Sequence, residues 1–135
     1  MNDTDTMALT RRFAETLQAL ERSEDALDDM VELFAERATI ANSALDLEDK
    51  RHEGRDGARA FWTTYREQLA DIETEFHDTT AGEGSGGLFW TTKGKGADGE
   101  PIEYRGATLL AFDADGSIER FRGYYDTRQL VLSGG

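Results

Sequence analysis

The chain has 135 residues, enough for one domain, and a formal net charge of −13, which argues against nucleic acid and anionic membrane surfaces because both recruit clustered Lys and Arg. It contains no cysteine, so a disulfide framework and thiolate chemistry are excluded. Of the 15 basic residues only Lys50, Lys93 and Lys95 are lysines, a balance that suits either a cell with high internal salt or the ordinary acidity of a GC-rich genome. Salt-dependent folding would show as a melting temperature that rises steeply with molar KCl. No apolar run approaches the roughly 20 residues needed to span a bilayer. Met1 to Thr6 lacks the basic-then-apolar pattern of a signal peptide, so a cytoplasmic location is expected.

In chain order, the first half reads as helical. Phe13, Leu17 and Leu20 recur at helical spacing after Thr10, a candidate N-cap, so residues 1–9 are expected to form a flexible tail. Ser23 is a second N-cap candidate, followed by Glu24 and Asp25 in a first turn where carboxylates suit the dipole. Leu27, Met30, Val31 and Phe34 then form one stripe. A short strand is expected over 38–41 and a polar loop over 42–54. A third helix fits 56–70, with Ala58, Phe61, Trp62, Tyr65 and Leu69 on one face. It carries the largest aromatic mass in the chain and should lie over the core.

The second half reads as strands. Over 72–80, Ile72, Thr74 and Phe76 alternate with Glu73, Glu75 and His77, and the run AGEGSGG then breaks the pattern. In the next strand, over 88–95, Leu88, Trp90 and Thr92 share one face, with Phe89 and Thr91 on the other. A turn at 97–100 leads to a strand over 102–112. Asp113 to Gly116 reads as a type I turn closed by a glycine bulge, and the last strand spans 117–126. Three helices followed by a four-strand antiparallel meander make an α+β domain. It is expected as a single domain over 1–135, with its core from about 10 to 132.

Two segments carry a family likeness. HEGRDGARAFW, at 52–62, resembles the loop-into-helix step of SnoaL-like proteins in the nuclear transport factor 2-like superfamily. IEYRGATLLAFDADGSIERFRGYYDTRQL, at 102–130, resembles their C-terminal hairpin with its closing Tyr-Tyr-Asp. The resemblance implies a cone-shaped, cystatin-like roll, with N-terminal helices packed on a curved antiparallel sheet around a central pocket. It also implies a homodimer through the sheet face. The superfamily includes polyketide cyclases, ketosteroid isomerases, limonene epoxide hydrolases and many members with no known activity, so fold does not hand over function.

Asp126 is the leading catalytic candidate. If the turn at 113–116 sets the hairpin, paired residue numbers sum to about 230, which puts Asp126 across from Tyr104 and Tyr124 across from Gly106. Tyr104, Tyr124 and Asp126 then share a face. A carboxylate among rings is desolvated, which raises its pKa and makes a general base near neutral pH. Tyr104 or Tyr124 would hold an enolate oxygen. This is proton abstraction next to a carbonyl, as in an isomerase or cyclase, and the position of Asp126 resembles that of the acid/base Asp in superfamily cyclases and epoxide hydrolases. Alternatively, Asp126 caps the turn it begins with Thr127 and Arg128, or pairs with Arg122 or Arg128.

Trp62, Tyr65, Trp90 and Arg122 are expected to line the pocket, unless the rings simply fill the core. The superfamily's epoxide hydrolases use an Arg and an Asp two residues apart on the strand that begins here at Leu88. Lys93 and Lys95 stand at those positions, and Lys does not replace a bidentate Arg, which argues against epoxide hydrolysis. His52 falls in the polar loop. His77 is expected on the surface or at a dimer contact, and would serve as an acid/base group only if its face turned to the pocket. No spacing offers three converging metal ligands, a phosphate loop or a nucleophile elbow, so no cofactor or metal is expected.

Two readings of function result. In one, the chain acts on or holds a small, fairly apolar, carbonyl-bearing molecule. In the other it is a non-catalytic ligand-binding or dimeric interaction module. An inward Asp126 of raised pKa favours the first, and exposed apolar side chains on the outer sheet favour dimerisation.

Overall fold

Asn2 starts the first helix, its side-chain oxygen accepting from the Asp5 N–H at 2.9 Å, with Asp3 and Asp5 in the first turn where negative charge suits the dipole. In this computed structural model, which describes residues 2–96 and 98–126, helix α1 therefore runs Asp3–Arg22. That corrects the expected tail. Thr10 is no cap but a buried mid-helix residue, its hydroxyl donating to the Thr6 carbonyl at 2.7 Å. Ser23 does act as a cap, for a 3-10 turn at Glu24–Ala26 that continues into α2, Leu27–Glu32.

Strand β1, Phe34–Asn42, is longer than the expected strand at both ends. Asn42 caps a short helix, α3 (Ser43–Leu47), by accepting from the Leu45 N–H at 2.9 Å. Strand β2, His52–Glu53, pairs with β1, so the expected loop is partly ordered and His52 belongs to a strand. Helix α4 is Gly54–Gln68. Strands β3 (Leu69–Gly82), β4 (Ser85–Gly96), β5 (Pro101–Phe112) and β6 (Ile118–Tyr125) follow.

Among the described residues the sheet is six-stranded, in the order β2-β1-β6-β5-β4-β3. The meander β3 to β6 is antiparallel, as the sequence suggests, but β1 lies parallel to β6. The sheet is therefore mixed rather than antiparallel throughout. Register shifts in β3, at Ala70/Glu73 and Phe76/Asp78, add local bend and twist to a sheet already curved.

The helices cover one face of the sheet, the inner one. Phe13, Leu17 and Leu20 of α1 and Ala58 and Trp62 of α4 join Ile40, Leu88, Leu110 and Phe121 of the sheet in one core cluster. The glycine-rich run is where α1 rests, because a Cβ at Gly86 would come within 3.0 Å of the Thr10 Cβ.

Candidate functional site

Asp113 organises the β5–β6 turn. Its Oδ1 accepts from the Asp115 N–H at 2.9 Å and the Ser117 N–H at 3.0 Å, and its carbonyl accepts from the Gly116 N–H at 3.0 Å. Phe112 pairs with Ile118 as that turn dictates, but the ladder then shifts at Ala111/Phe112. From there Leu110 faces Phe121, Ala107 faces Tyr124 and Gly106 faces Tyr125. A one-residue slip exchanges the two faces of a strand. Tyr104 and Tyr124 are therefore not on one face.

Tyr125 takes the inner place expected for Tyr124, its ring centroid 5.5 Å from that of Tyr104. Tyr124 turns outward and is 44% exposed. Arg122, expected in the pocket, is on the outer face as well. Its Nε donates to the Tyr124 hydroxyl at 2.9 Å, its guanidinium lies 5.6 Å from the ring centroid, and it pairs with Asp46 at 3.0 Å. Asp126 follows the last residue of β6, is half-buried, and takes part in an interaction. Thr127 and Arg128, the residues expected to form its turn, lie outside the described residues.

The inner face instead brings together five polar side chains from five elements. Glu21 of α1 accepts from the Tyr65 hydroxyl of α4 at 2.6 Å, and from the N–H and hydroxyl of Thr74 on β3 at 2.9 and 2.5 Å. Thr74 and Thr92, paired across β3 and β4, share a hydroxyl contact of 2.8 Å, and Thr92 hydrogen-bonds Tyr104 of β5. The chain Tyr65–Glu21–Thr74–Thr92–Tyr104 thus ties two helices to three strands. Burial raises the Glu21 carboxyl above the ordinary carboxylate range, against the hydrogen bonds that lower it. Burial also raises Tyr65, with Tyr104 and Glu21 adding to the shift. It raises Tyr104, with Tyr125 adding, and Tyr125 itself. These tyrosines are therefore neutral hydrogen-bonding groups.

The two tryptophans flank this chain and differ from each other. Trp90 lies over Gly106, where a Cβ would come within 2.7 Å of its ring. Its Nε1 donates to the Thr108 hydroxyl at 2.9 Å, and its ring is 5.3 Å from Tyr104. Trp62 is 2% exposed and ringed by Phe13, Phe61, Tyr65 and Phe121, with centroids 4.8 to 6.0 Å away. Among the described residues its Nε1–H has no acceptor. Tyr65 links the two features, its ring against Trp62 and its hydroxyl on Glu21.

The outer face carries a groove of about 480 Å³ between β3, β4 and β5, lined by Glu75, His77, Phe89, Thr91, Lys93 and Arg105 among others. His77 contacts Thr91 there, Nε2 to Oγ1, at 2.7 Å. It therefore lies on the face it shares with Glu75, away from the inner hydroxyl chain. Lys93 pairs with Glu103 at 3.4 Å.

Glu21 is the residue that the sequence pattern passed over. In the string Leu20-Glu21-Arg22-Ser23-Glu24-Asp25 it reads as one more solvated acid. The signal available was its phase: it lies one turn after Leu17, on the flank of the buried stripe.

Comparison with known proteins agrees with this architecture. The SnoaL-like domain family model matches residues 10–121. Among solved structures, the chain is similar to an NTF2-like protein of unknown function from Exiguobacterium sp. 255-15, with a TM-score of 0.73 and 23% identity over 87% of this chain and 98% of that one. It is also similar to an NTF2-like protein of unknown function from Mesorhizobium loti, with a TM-score of 0.72 and 24% identity over 92% of this chain and 93% of that one. Likeness at those identities carries the fold and no activity. No curated protein matches the chain.

Proposed function

We propose that this chain, which belongs to the SnoaL-like domain family, holds a small, mostly apolar molecule with a carbonyl-type oxygen on the inner side of its sheet, with Glu21 as the acid–base group. The observation that carries this reading is the Trp62 indole, 2% exposed with an N–H that has no acceptor among the described residues. Leaving a buried donor unpaired costs about 1–3 kcal/mol, and a ligand oxygen would remove that cost. The rings around Trp62 supply the apolar surface, and Tyr65 connects it to the only carboxyl in the hydroxyl chain.

A carboxylate offers about four acceptor sites, and three donors reach Glu21 from Tyr65 and Thr74. The remaining site can take a proton from the carbon beside a ligand carbonyl. The electron pair then moves to the carbonyl oxygen, which a donor such as the Trp62 N–H holds, and the proton returns to another carbon. This is isomerase or cyclase chemistry. We place the chain in the cytoplasm as part of the same proposal.

Thermal shift with small cyclic and aromatic ketones, cyclohexanone and acetophenone first, tests the binding claim. A ligand that binds only the folded state raises the melting temperature in a dose-dependent way. The shift is expected in the wild type, absent in Trp62→Phe and reduced in Glu21→Gln. No dose-dependent shift in the wild type with any of these ketones would contradict the reading.

A second reading, that the outer face joins two copies of the chain, rests on a separate observation. Phe89, Leu109 and Tyr124 are all large, exposed and on that face.

A further inference from the structure

Resting on the reading of Glu21 as the acid–base group, we infer that the hydroxyl chain from Glu21 to Tyr104 is a directional switch. When Glu21 takes a proton from the ligand, Thr74 and Thr92 turn, and the Tyr104 O–H is released to hold the ligand's oxygen.

Each hydroxyl has one hydrogen to give, so the direction of the chain is set at its charged end. An ionised Glu21 only accepts, and it takes the Thr74 hydroxyl hydrogen at 2.5 Å. Thr74 then meets Thr92, 2.8 Å away, as an acceptor, which commits the Thr92 hydrogen to Thr74. Thr92 in turn meets Tyr104 as an acceptor, so the Tyr104 O–H is spent inside the chain. Protonation of Glu21 removes that constraint, because a neutral carboxyl is a weaker acceptor and carries a donor of its own. Thr74 is then free to donate to Thr92, Thr92 to Tyr104, and the Tyr104 O–H leaves the chain. The Tyr104 ring lies 5.3 Å from Trp90 and 5.5 Å from Tyr125, on the inner face proposed for the ligand.

The ladder holds these partners together. Thr74 pairs with Thr92 and Thr92 with Tyr104, so the three side chains form one transverse row across β3, β4 and β5. Thr74 and Thr92 are at most 2% exposed, so water has little access to replace a partner. Tyr65 and Arg66 of α4, Glu73 of β3 and Tyr104 of β5 stand about Glu21, with Arg66 committed to the Leu20 carbonyl. Arg22 adjoins it on α1, and the following 3-10 turn brings Glu24 and Asp25. The like charge of Glu73 favours the protonated form.

In the reaction the C–H bond beside the carbonyl breaks, its proton forms an O–H on Glu21, and the electron pair passes to the carbonyl oxygen. No proton travels along the chain; three hydroxyl hydrogens rotate. Tyr104 thus gains its donor as the oxyanion forms and adds to the Trp62 N–H. Return of the Glu21 proton to another carbon resets the chain.

A pH titration without ligand tests the switch separately from the ketone experiments. The tyrosines are isotope-labelled at Cζ and followed by NMR, with Tyr104 assigned by Tyr104→Phe. The Tyr104 signal should inflect at the pH where Glu21 titrates, and the inflection should vanish in Glu21→Gln. Thr92→Val keeps the side-chain shape and removes the hydroxyl. In that variant Tyr104 should lose the inflection, while Tyr65, bonded directly to Glu21, keeps its own and so reports an intact fold. Thr92→Ser should restore the Tyr104 response, and Thr74→Val, which cuts the chain one link earlier, should abolish it. A Tyr104 signal that does not inflect in the wild type, or that still inflects in Thr92→Val, would overturn the switch and leave ketone binding untouched. Absence of ketone binding beside an intact, Thr92-dependent inflection would overturn the role of Tyr104 toward a ligand and spare the coupling.

Discussion

The inner and outer faces of the β4–β6 ladder draw on alternate residues of the same strands. Leu88, Leu110 and Phe121 on the inner side are at most 5% exposed, whereas their neighbours Phe89 and Leu109, with Tyr124 nearby, stand 37% to 49% open. The inner face holds aromatic packing interrupted by one hydroxyl chain anchored on a desolvated carboxyl. The outer face holds isolated apolar side chains among balanced charges. The same residue types thus serve as core on one side and as contact surface on the other, and the register alone decides which.

Leu109 and Leu110 make the sharpest pair for breaking that comparison. Leu110→Ala should destabilise the fold by about 2–5 kcal/mol, as a buried truncation does. Leu109→Ala should cost about 0.5 kcal/mol or less in the monomer, with any larger loss dependent on protein concentration, as an interface residue requires. Equal effects in chemical denaturation at fixed concentration would show that the two faces are not distinct.

Gly106 and Ala107 are a second pair. Gly106→Ala drives a Cβ to within 2.7 Å of the Trp90 ring and should cost about 1–3 kcal/mol as overpacking, with a changed tryptophan emission spectrum. Ala107→Ser, facing outward, should leave both stability and emission near the wild type.

The smallest expected effect is the one tied most closely to chemistry. Burial raises Glu21 in the folded chain, so the folded state holds that proton more tightly than the unfolded state does. Its contribution to stability is present in full below the ordinary carboxylate value and is lost as pH rises through the folded value. Over that window the wild type should lose stability relative to Glu21→Gln, by at most about 1.4 kcal/mol per pH unit. A stability difference between the two that is flat with pH would mean that Glu21 titrates as an ordinary exposed acid.

Much of the fold was legible because local periodicity was strong. The buried stripe Phe13, Leu17 and Leu20, the Trp62 face of α4 and the split of Leu88, Trp90 and Thr92 from Phe89 and Thr91 all follow from spacing. Less was legible wherever a non-local event intervened. The parallel pairing of β1 with β6 joins distant segments and leaves no periodic trace. The bulge at Ala111/Phe112 moves the hairpin by one residue and so exchanges Tyr124 with Tyr125. Thr10 reads as the N-cap from spacing alone, whereas the cap is Asn2 and Thr10 is buried within α1, which only the packing reveals. For the candidate site, Trp62, Tyr65 and Trp90 read from spacing as interior rings, Tyr104 read as a partner of Tyr124 and Asp126, and Glu21 looked like surface.

The most direct test of the central claim uses the two tryptophans as each other's control. Their indole N–H groups give two resolvable nitrogen–proton NMR signals, assigned with Trp62→Phe. The Trp90 donor is already committed to Thr108 at 2.9 Å, while that of Trp62 has no acceptor among the described residues. On titration with acetophenone the Trp62 signal should move to a saturating limit as its N–H gains an oxygen, and the Trp90 signal should shift far less. If the Trp62 signal stays fixed, or only that of Trp90 moves, the inner face is packing alone and the ligand-holding account is wrong.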